Sequence, residues 1–303
     1  MSHRVTVIVR TKDRPYFLAR ALADIAAQTV SDAEVIVVND GGDAAEVMRI
    51  VDKSSIADRT RAIEMPGAGG RCAAANAGIR ASTTDYVVLH DDDDRWHPEF
   101  LAKTSALLDA SSADAGVMVA TEIVYETQRG REWVEEGRAP FWQGMTDVTF
   151  LALLEVNRAV PISFLYRRSL HEELGFYDET LDAVEDWEFY LRVTAAHPVA
   201  FLGGTPLAYW TQRPDARGAA GNSMYELSTQ HERDDMKVRD RELRRWVEAN
   251  GPGLPLYMAQ LHRDAERQLA DRLDQVAGDV IRGVYDAHPF WRRVRRLLRT
   301  RRR

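Results

Sequence analysis

The first 115 residues alternate between short apolar runs and segments with helical spacing. Val5–Val9, Glu34–Val38 and Tyr86–His90 are runs of five residues rich in β-branched side chains, which is typical of buried strands. Between the first two runs, apolar residues from Phe17 to Ala26 recur at intervals of three and four, as in an amphipathic helix. Strands that alternate with helices form a parallel sheet covered by helices on both faces. The pattern therefore predicts an α/β fold.

The second half of the chain is less regular and ends in a helical segment. We predict a strand over Gly116–Tyr125, a strand over Ile162–Tyr166 and a helix over Asp186–Ala196. From Met224 onward the pattern is helical, and one apolar stripe runs along it with charges elsewhere. The stripe consists of Leu261, Ala265, Leu269, Leu273, Val276, Val280 and Val284. We therefore expect a helical C-terminal extension.

The strand Tyr86–His90 ends in four consecutive aspartates, Asp91–Asp94. Adjacent carboxylates repel one another, so such a cluster favours a compensating cation. Oxygen ligands suit a hard divalent ion such as Mg²⁺ or Mn²⁺. Open α/β sheets bind their ligands at the carboxyl ends of the strands, where this cluster falls. The alternative interpretation is a solvated acidic loop that caps the next helix.

Two further polar segments follow strands. Asn39 to Gly42 form either a tight turn or a turn in which Asp40 also accepts hydrogen bonds from a nucleobase or ribose. Thr11 and Arg14, after the first strand, would line the same crevice. The glycine-rich segment before Arg71 could admit a diphosphate, with Arg71 as the partner of its charge, although a solvated Arg71 is the favoured interpretation. The sequence has neither a P-loop nor a dinucleotide fingerprint, which counts against an ATPase and a nicotinamide enzyme.

A third acidic group lies in the segment DAVEDWEF, which runs from Asp182 to Phe189. Its carboxylates could simply form the acidic first turn of a helix. Alternatively, one of them is a general base beside an aromatic shelf. Trp187 and Tyr190 could stack on a sugar ring or pack in the core, and core packing is the better interpretation for both.

Composition and charge exclude several classes of protein. The single cysteine, Cys72, excludes an intramolecular disulfide and favours a reducing compartment. The N-terminus is unlike a signal peptide, and no run approaches the roughly 20 apolar residues of a membrane span.

Eight arginines lie in 292–303, so residues 1–291 have a formal charge of −15, compared with −7 for the whole chain. We therefore expect no nucleic-acid partner for the body of the protein. The tail, 289–303, is typical of an interfacial segment at an anionic membrane or of a disordered basic end.

Five segments of the chain stand in a specific order and spacing, although each is a weak signal alone. They are VTVIVRTKDRPYFLARALADIAAQT, EVIVVNDGGD, GGRCAAANAGIRAS, LHDDDDRWHP and RRSLHEELGFYDETLDAVEDWEFYLR. Together they resemble the motifs of family 2 glycosyltransferases, and the resemblance extends from Val5 to about Ser223. Gly42 and Ala75 depart from the family pattern, which usually has Ser and Arg there.

The resemblance implies a GT-A fold with a Rossmann-like, mostly parallel central sheet and flanking helices. It implies a catalytic domain over 1–223, with a nucleotide-binding half over 1–115 and an acceptor half over 116–223, followed by the extension 224–303. The implied site residues are the base Asp186 with Glu185 in support; the donor-binding Thr11, Arg14, Asp40, Arg71, Asp91 and Asp92; the metal ligands Asp93 and Asp91; and the acceptor-side Trp187 and Trp210.

The activity implied by the resemblance is metal-dependent, inverting transfer of a sugar in cell-surface polysaccharide or glycoconjugate synthesis. The cofactor would be Mg²⁺ or Mn²⁺, the donor a nucleotide-diphosphate sugar, and the acceptor a saccharide or a lipid-linked molecule. The location would be cytoplasmic, with the extension docking at the inner face of the plasma membrane or in a homodimer. A sugar nucleotidyltransferase and a non-catalytic nucleotide-sugar-binding protein are the alternatives.

One departure from the family pattern concerns the metal. Many relatives have a Tyr-Arg-x-His-like segment after the base, and its histidine can approach the ion. This chain has Tyr209–Gln212 there, without an equivalent histidine, which puts a third protein ligand in doubt. Arg213 and Arg217 could instead bind phosphate.

Overall fold

The computed structural model describes residues 3–130, 132–222 and 228–288, together with Phe290 and Arg293. The chain divides into two compact units, residues 1–238 and 239–303. The predicted domain boundary at 223/224 falls within 223–227, which lie outside the described residues, so it stays a prediction. The predicted membrane segment, 289–303, also lies outside them except for Phe290 and Arg293.

The first half of the larger unit is a regular alternation of strands and helices, as the sequence predicts. α2 begins where the Asp43 carboxylate accepts hydrogen bonds from the backbone N–H groups of Ala45 and Glu46, which supplies the cap that a helix start needs. The elements are β1 (Val5–Thr11), α1 (Pro15–Ala26), β2 (Ala33–Asn39), α2 (Ala44–Lys53), β3 (Thr60–Glu64), α3 (Arg71–Ala81), β4 (Tyr86–Asp91), β5 (Arg95–Trp96) and α4 (Phe100–Ala110).

The second half of this unit is built from shorter elements. Two long helices come next along the chain, and the first of them begins within this unit. These elements are β6 (Gly116–Val119), β7 (Thr121–Arg129), β8 (Glu132–Pro140), α5 (Phe150–Glu155), β9 (Phe164–Arg167), α6 (Leu170–Glu173), α7 (Glu185–Ala196), β10 (Ala200–Leu202) and β11 (Ala208–Gln212). The helices are α8 (Ser228–Asn250) and α9 (Gly253–Ala287). They confirm the predicted helical C-terminal extension. None of the described helices is long and apolar enough to cross a bilayer.

The described strands form a large, mostly parallel sheet in the order β10-β6-β9-β4-β1-β2-β3. Only β9 runs antiparallel to its neighbours, β4 and β6. β1 is buried along its whole length, as expected for a strand covered by helices on both faces. On one face α3 lies so close that a Cβ atom at Gly78 would be 2.4 Å from Cγ2 of Ile8. This architecture confirms the predicted α/β fold.

A smaller sheet, in the order β5-β11-β7-β8, lies in the same unit. The strand predicted over Gly116–Tyr125 is broken at Ala120, because β6 pairs in the large sheet and β7 in the small one. Trp133 lies in β8, and its ring centroid is 5.8 Å from that of Phe17 on α1. The β7–β8 hairpin thus packs against the helix that follows the first strand.

Candidate active site

A cavity of about 320 Å³ lies at the carboxyl ends of β1, β2 and β4. Strand register explains its position, because Arg10 on β1 is paired with Asp91 on β4, and Thr11 is paired with Asn39 on β2. The side chains that follow these pairs therefore meet at one edge of the sheet. The cavity is lined by Thr11, Arg14, Asp40, Arg71, Asp91, Asp92, Asp93 and Trp210, all of them predicted site residues.

Arg10 joins Asp91 to Glu185, the neighbour of the predicted catalytic base Asp186. The sequence analysis did not identify Arg10. The Arg10 side chain is 6% exposed, and its Nε and Nη2 groups donate to Oδ1 of Asp91 at 2.9 and 2.5 Å. Its Nη1 group lies 3.3 Å from Oε1 of Glu185. Burial opposes the charge of Arg10, but the two carboxylates outweigh burial and raise its pKa. Arg10 is therefore a buried cation shared by two acidic groups.

Asp92 is held by protein groups on both of its carboxylate oxygens. Thr11 Oγ1 donates to Oδ2 at 2.8 Å, and Arg14 Nη1 donates to Oδ1 at 2.8 Å. Burial raises the pKa of Asp92 to about 7, although Arg14 acts in the opposite direction. These contacts fix the positions of Thr11 and Arg14 relative to the aspartate turn.

Asp93 is neutralised by arginines that come from the two ends of the large unit. Arg213 Nη2 hydrogen-bonds to Oδ2 of Asp93, and Arg14 Nη2 lies 3.2 Å from the same oxygen. Burial opposes ionisation, but these two guanidinium groups lower the pKa of Asp93. Arg213 is fully buried, with its guanidinium 4.4 Å from the Phe17 ring centroid and 5.5 Å from that of Trp133. It is thus a structural counter-ion of Asp93, which does not match the predicted phosphate contact.

The remaining members of the predicted turn and loop make backbone contacts. Asp94 is buried and accepts a hydrogen bond from the backbone N–H of Thr211 at 2.7 Å, so it ties the aspartate turn to β11. Arg217 donates to the backbone carbonyls of Pro214 and Ala216. These bonds brace the loop after β11.

The carboxylate oxygens at this site suit a divalent ion whose coordination shell is completed by a substrate. Among the described residues, no group of three or more His, Cys, Asp or Glu side chains is arranged to hold a metal. The arginine bonds to Asp91 are made at Oδ1, and those to Asp93 at Oδ2, so each carboxylate retains a second oxygen as a ligand. Mg²⁺ commonly binds to one or two carboxylates plus substrate phosphates and water. The two aspartates therefore fit such an ion.

Asp40 fixes the glycine-rich loop that precedes α3. The backbone N–H groups of Gly69 and Gly70 donate to Oδ1 of Asp40 at 2.6 and 3.1 Å. Gly70 has φ 86°, a left-handed conformation that glycine adopts readily. Arg71, the first residue of α3, donates from Nη2 to the carbonyl oxygen of Asp182 at 3.0 Å. The loop therefore spans the space between β2 and the acidic segment that leads into α7.

Glu185 and Asp186 form the first turn of α7, directly after a residue in an unusual conformation. Val184 has φ 57°, a left-handed conformation that β-branched residues avoid and that costs on the order of 1–3 kcal/mol. Asp186 is 8% exposed, and its Oδ2 accepts a hydrogen bond from Asn157 Nδ2 at 2.9 Å. Its Oδ1 accepts one from the backbone N–H of Trp187 at 2.7 Å. The carboxyl group is therefore oriented from two sides.

The environment separates the pKa values of these two neighbours. Burial, and then the charge of Glu185, raises the pKa of Asp186 to about 7. Burial also opposes the ionisation of Glu185, but Arg71 and Arg10 outweigh it and lower the pKa of Glu185. Two carboxyl groups with separated pKa values are the usual arrangement when one supports and the other exchanges a proton.

The structure separates the two tryptophans predicted to contact the acceptor. Trp187 is 2% exposed, and its Nε1–H donates to the carbonyl oxygen of Leu153 at 2.6 Å. It packs in the interior, which agrees with the interpretation favoured from the sequence and corrects the acceptor contact that the family resemblance implied. Trp210 lines the cavity, and its ring meets that of Phe141 edge-on at 5.1 Å.

A second cavity of about 280 Å³ lies beside this aromatic pair. Phe141, Trp142 and Arg158 line it, and the Arg158 guanidinium is 4.8 Å from the Trp142 ring centroid. Arg158 follows Asn157, which bonds to Asp186. The cavity wall and the predicted base are therefore held by adjacent residues.

The functional side chains that the sequence analysis missed differ in how visible they were. Arg10 directly follows the apolar run of β1 and lies on the same buried strand, and a charge at a buried strand position implies a buried partner. Asn157 and Asn222 follow no sequence pattern that marks them. Asn222 accepts a hydrogen bond from the backbone N–H of Arg213 at 2.7 Å. Their roles depend on contacts that are distant in sequence.

The family profile described as "Glycosyl transferase family 2" matches residues 6–175, more than half of the chain. The chain belongs to this family. This glycosyltransferase is 28% identical over 201 residues to an uncharacterized glycosyltransferase of Bacillus subtilis, YwdF, over 65% of this chain and 70% of the relative. It is 30% identical over 125 residues to an uncharacterized glycosyltransferase of Nostoc sp., over 40% of this chain and 37% of that relative.

Solved structures show the same fold. The crystal structure of Staphylococcus aureus TarS 1-349 in complex with UDP-GlcNAc has a TM-score of 0.59 and 18% identity, over 83% of this glycosyltransferase and 75% of that chain. The mannosyltransferase PcManGT from Pyrobaculum calidifontis, in complex with GDP-Man and Mn²⁺, has a TM-score of 0.51 and 20% identity, over 72% of this chain and 59% of that one. These likenesses confirm the predicted GT-A fold.

Proposed function

We propose that the enzyme transfers a sugar from a nucleotide-diphosphate donor to a saccharide or lipid-linked acceptor, with inversion at the anomeric carbon. The observation that carries the proposal is the cavity at the strand ends. It gathers the predicted donor residues, and Arg10 connects its acidic wall to Glu185, the neighbour of the proposed base. The structural relatives support the donor class, since they form complexes with UDP-GlcNAc, UDP and GDP-Man.

In this proposal, the nucleoside lies against Thr11 and Asp40, and the diphosphate lies towards Arg71. Asp40 already accepts hydrogen bonds from the glycine-rich loop, so its carboxylate has a fixed direction before a donor binds. A divalent ion on Asp91 and Asp93 would neutralise charge on the departing nucleoside diphosphate. The complex of PcManGT with GDP-Man and Mn²⁺ supports this cofactor class.

Asp186 is the proposed general base that takes the proton of the acceptor hydroxyl. A pKa of about 7 makes it a stronger base than an ordinary carboxylate while it remains partly ionised near neutral pH. Asn157 fixes the direction of the carboxyl group. Because an alcohol is far less acidic than a carboxylic acid, the proton moves in concert with the attack on the anomeric carbon.

The acceptor is proposed to enter from the second cavity, next to Trp210. Trp142 is 37% exposed there and offers aromatic surface on which a saccharide can pack. We propose a cytoplasmic location, with the arginine-rich segment 289–303 contacting the inner face of the plasma membrane.

Asp186→Asn tests the proposed chemistry. Transfer should fall by several orders of magnitude while donor binding, measured by calorimetry, changes little. Asp182→Asn is the matched control, because the Asp182 side chain is 69% exposed, and it should transfer normally. Full transfer by Asp186→Asn would contradict the assignment of the base.

A thermal-shift screen of UDP, GDP and dTDP sugars, with and without Mn²⁺, tests the donor site. One nucleotide should raise the melting temperature, and the metal should increase the shift. Asp93→Asn should remove the metal-dependent part. Absence of any shift would overturn the donor assignment, and pyrophosphate release from a nucleoside triphosphate would instead favour a nucleotidyltransferase.

A further inference from the structure

An exposed apolar row runs along the whole of α9. Eight of its members are between 44% and 64% exposed, and the ninth, Ala265, is also exposed. A single exposed leucine needs no explanation, but a continuous row of this length marks an interaction surface. We call this set the α9 row. It consists of Leu254, Met258, Leu261, Ala265, Leu269, Leu273, Val276, Val280 and Val284.

The α9 row has a regular period of 15 residues. Leu254, Leu269 and Val284 are each 15 residues apart, and the members between them repeat at the same distance. Within one repeat, successive members lie four, three, four and four residues apart. The 15 residues make four turns, which gives about 3.75 residues per turn, compared with about 3.6 in a straight helix. A period longer than that of the straight helix keeps an apolar row against a partner helix in a right-handed supercoil.

The charges on the rest of α9 decide between a membrane and a protein as the partner. The helix carries six acidic residues and four arginines. Helices that lie on anionic membranes are rich in Lys and Arg on their polar face, whereas this face is acidic on balance. Interspersed charges of both signs suit a facing helix of the same composition, on which each sign finds its opposite.

We propose that α9 pairs with α9 of a second copy of this chain and makes the enzyme a homodimer. Its 35 residues give a helix about 52 Å long at about 1.5 Å per residue. A contact strip about 10 Å wide then buries on the order of 500 Å² per copy, or 1,000 Å² in total, which reaches the size of a specific interface. Two-fold symmetry is the commonest closed arrangement for such pairs.

The solution mass of the full chain tests the proposal. Light scattering after size-exclusion chromatography should give twice the monomer mass at micromolar concentration. Met258→Asp/Leu273→Asp adds two carboxylates 15 residues apart in the row, and the dissociation constant should rise by about 100-fold or more. Gln260→Asp/Gln275→Asp adds the same charges at the same spacing on the opposite side, and it should remain a dimer.

Disulfide trapping gives a second readout that does not depend on destabilisation. Leu269 is the central member of the α9 row, so it faces its own copy whether the two helices run parallel or antiparallel. Leu269→Cys should form a covalent dimer on mild oxidation, whereas Asp271→Cys, on the opposite side, should not. The native Cys72 is buried and leaves the assay without background.

Three results would overturn the proposal. A monomeric wild-type chain would do so, and flotation with anionic vesicles of that monomer without residues 292–303 would show that a membrane covers the row. A dimer that survives Met258→Asp/Leu273→Asp would place the interface elsewhere. Equal trapping of Leu269→Cys and Asp271→Cys would show that the row does not face a second copy.

Discussion

Asp186→Asn should change how the stability of the large unit depends on pH. Burial, with Glu185 beside it, raises the pKa of Asp186 from its ordinary value of 3.8 to about 7. The folded protein therefore binds this proton more tightly than the unfolded chain does, so the side chain's ionisation lowers stability as the pH rises from 4 to 7. A shift of about three pKa units corresponds to about 4 kcal/mol.

Asparagine has no such proton, so the variant lacks this pH-dependent loss. The free energy of unfolding of Asp186→Asn minus that of the wild type should therefore grow by up to about 4 kcal/mol between pH 4 and pH 8. Most of the increase should come below pH 7, and the difference should be constant above it. Urea denaturation at a series of pH values measures this difference.

The control is Asp182→Asn, whose side chain is 69% exposed in the wild type; its stability difference from wild type should change little with pH. In the wild-type enzyme, kcat/KM should rise with pH, reach half of its maximum near pH 7 and level off above it, because the base must be deprotonated. A stability difference for Asp186→Asn that stays flat from pH 4 to 8 would refute the raised pKa and with it the assignment of Asp186 as a base tuned to neutral pH.

Three further changes test other features. Arg10→Met should lower the free energy of unfolding by about 3–5 kcal/mol, because two buried carboxylates lose their shared cation; Arg10→Lys should lose less, and equal losses would contradict the bridge. Gly78→Ala should cost about 1–3 kcal/mol in urea denaturation, because its Cβ would lie 2.4 Å from Ile8, whereas Gly283→Ala, with open space around it, should be neutral or stabilising. Deleting 292–303 should weaken binding to anionic vesicles in a flotation assay, and unchanged binding would contradict the membrane proposal.

The strands that shape the cavity were predictable because their signals are local. An apolar run and the polar residues after it are enough to place Asp40 and Asp91 at strand ends. The antiparallel insertion of β9 and the break at Ala120 were not predictable. They follow from which distant strand each segment pairs with, and that choice leaves no local trace.

The candidate site shows the same division between local and distant information. The cluster of aspartates was visible in the sequence, but its partners were not. Asp93 meets Arg213 across 120 residues, and Asp91 meets Arg10 across 81. Core packing of Trp187 was favoured from the sequence, but the carbonyl group on the segment after β8 that fixes its indole could not be predicted.

The ion pair between Asp93 and Arg213 bears on where the catalytic unit ends. The family match stops at residue 175, before both Asp186 and Arg213. A fragment trimmed to that match would retain the aspartate cluster but lose the buried guanidinium that neutralises Asp93 and also lies 3.7 Å from Glu126. Such a fragment would keep Arg14 but lose one of the two guanidinium groups that neutralise Asp93, which costs stability because the carboxylate is buried. The shortest stable and competent piece of this enzyme must therefore extend through β11 to the loop that anchors Arg213, ending no earlier than Asn222.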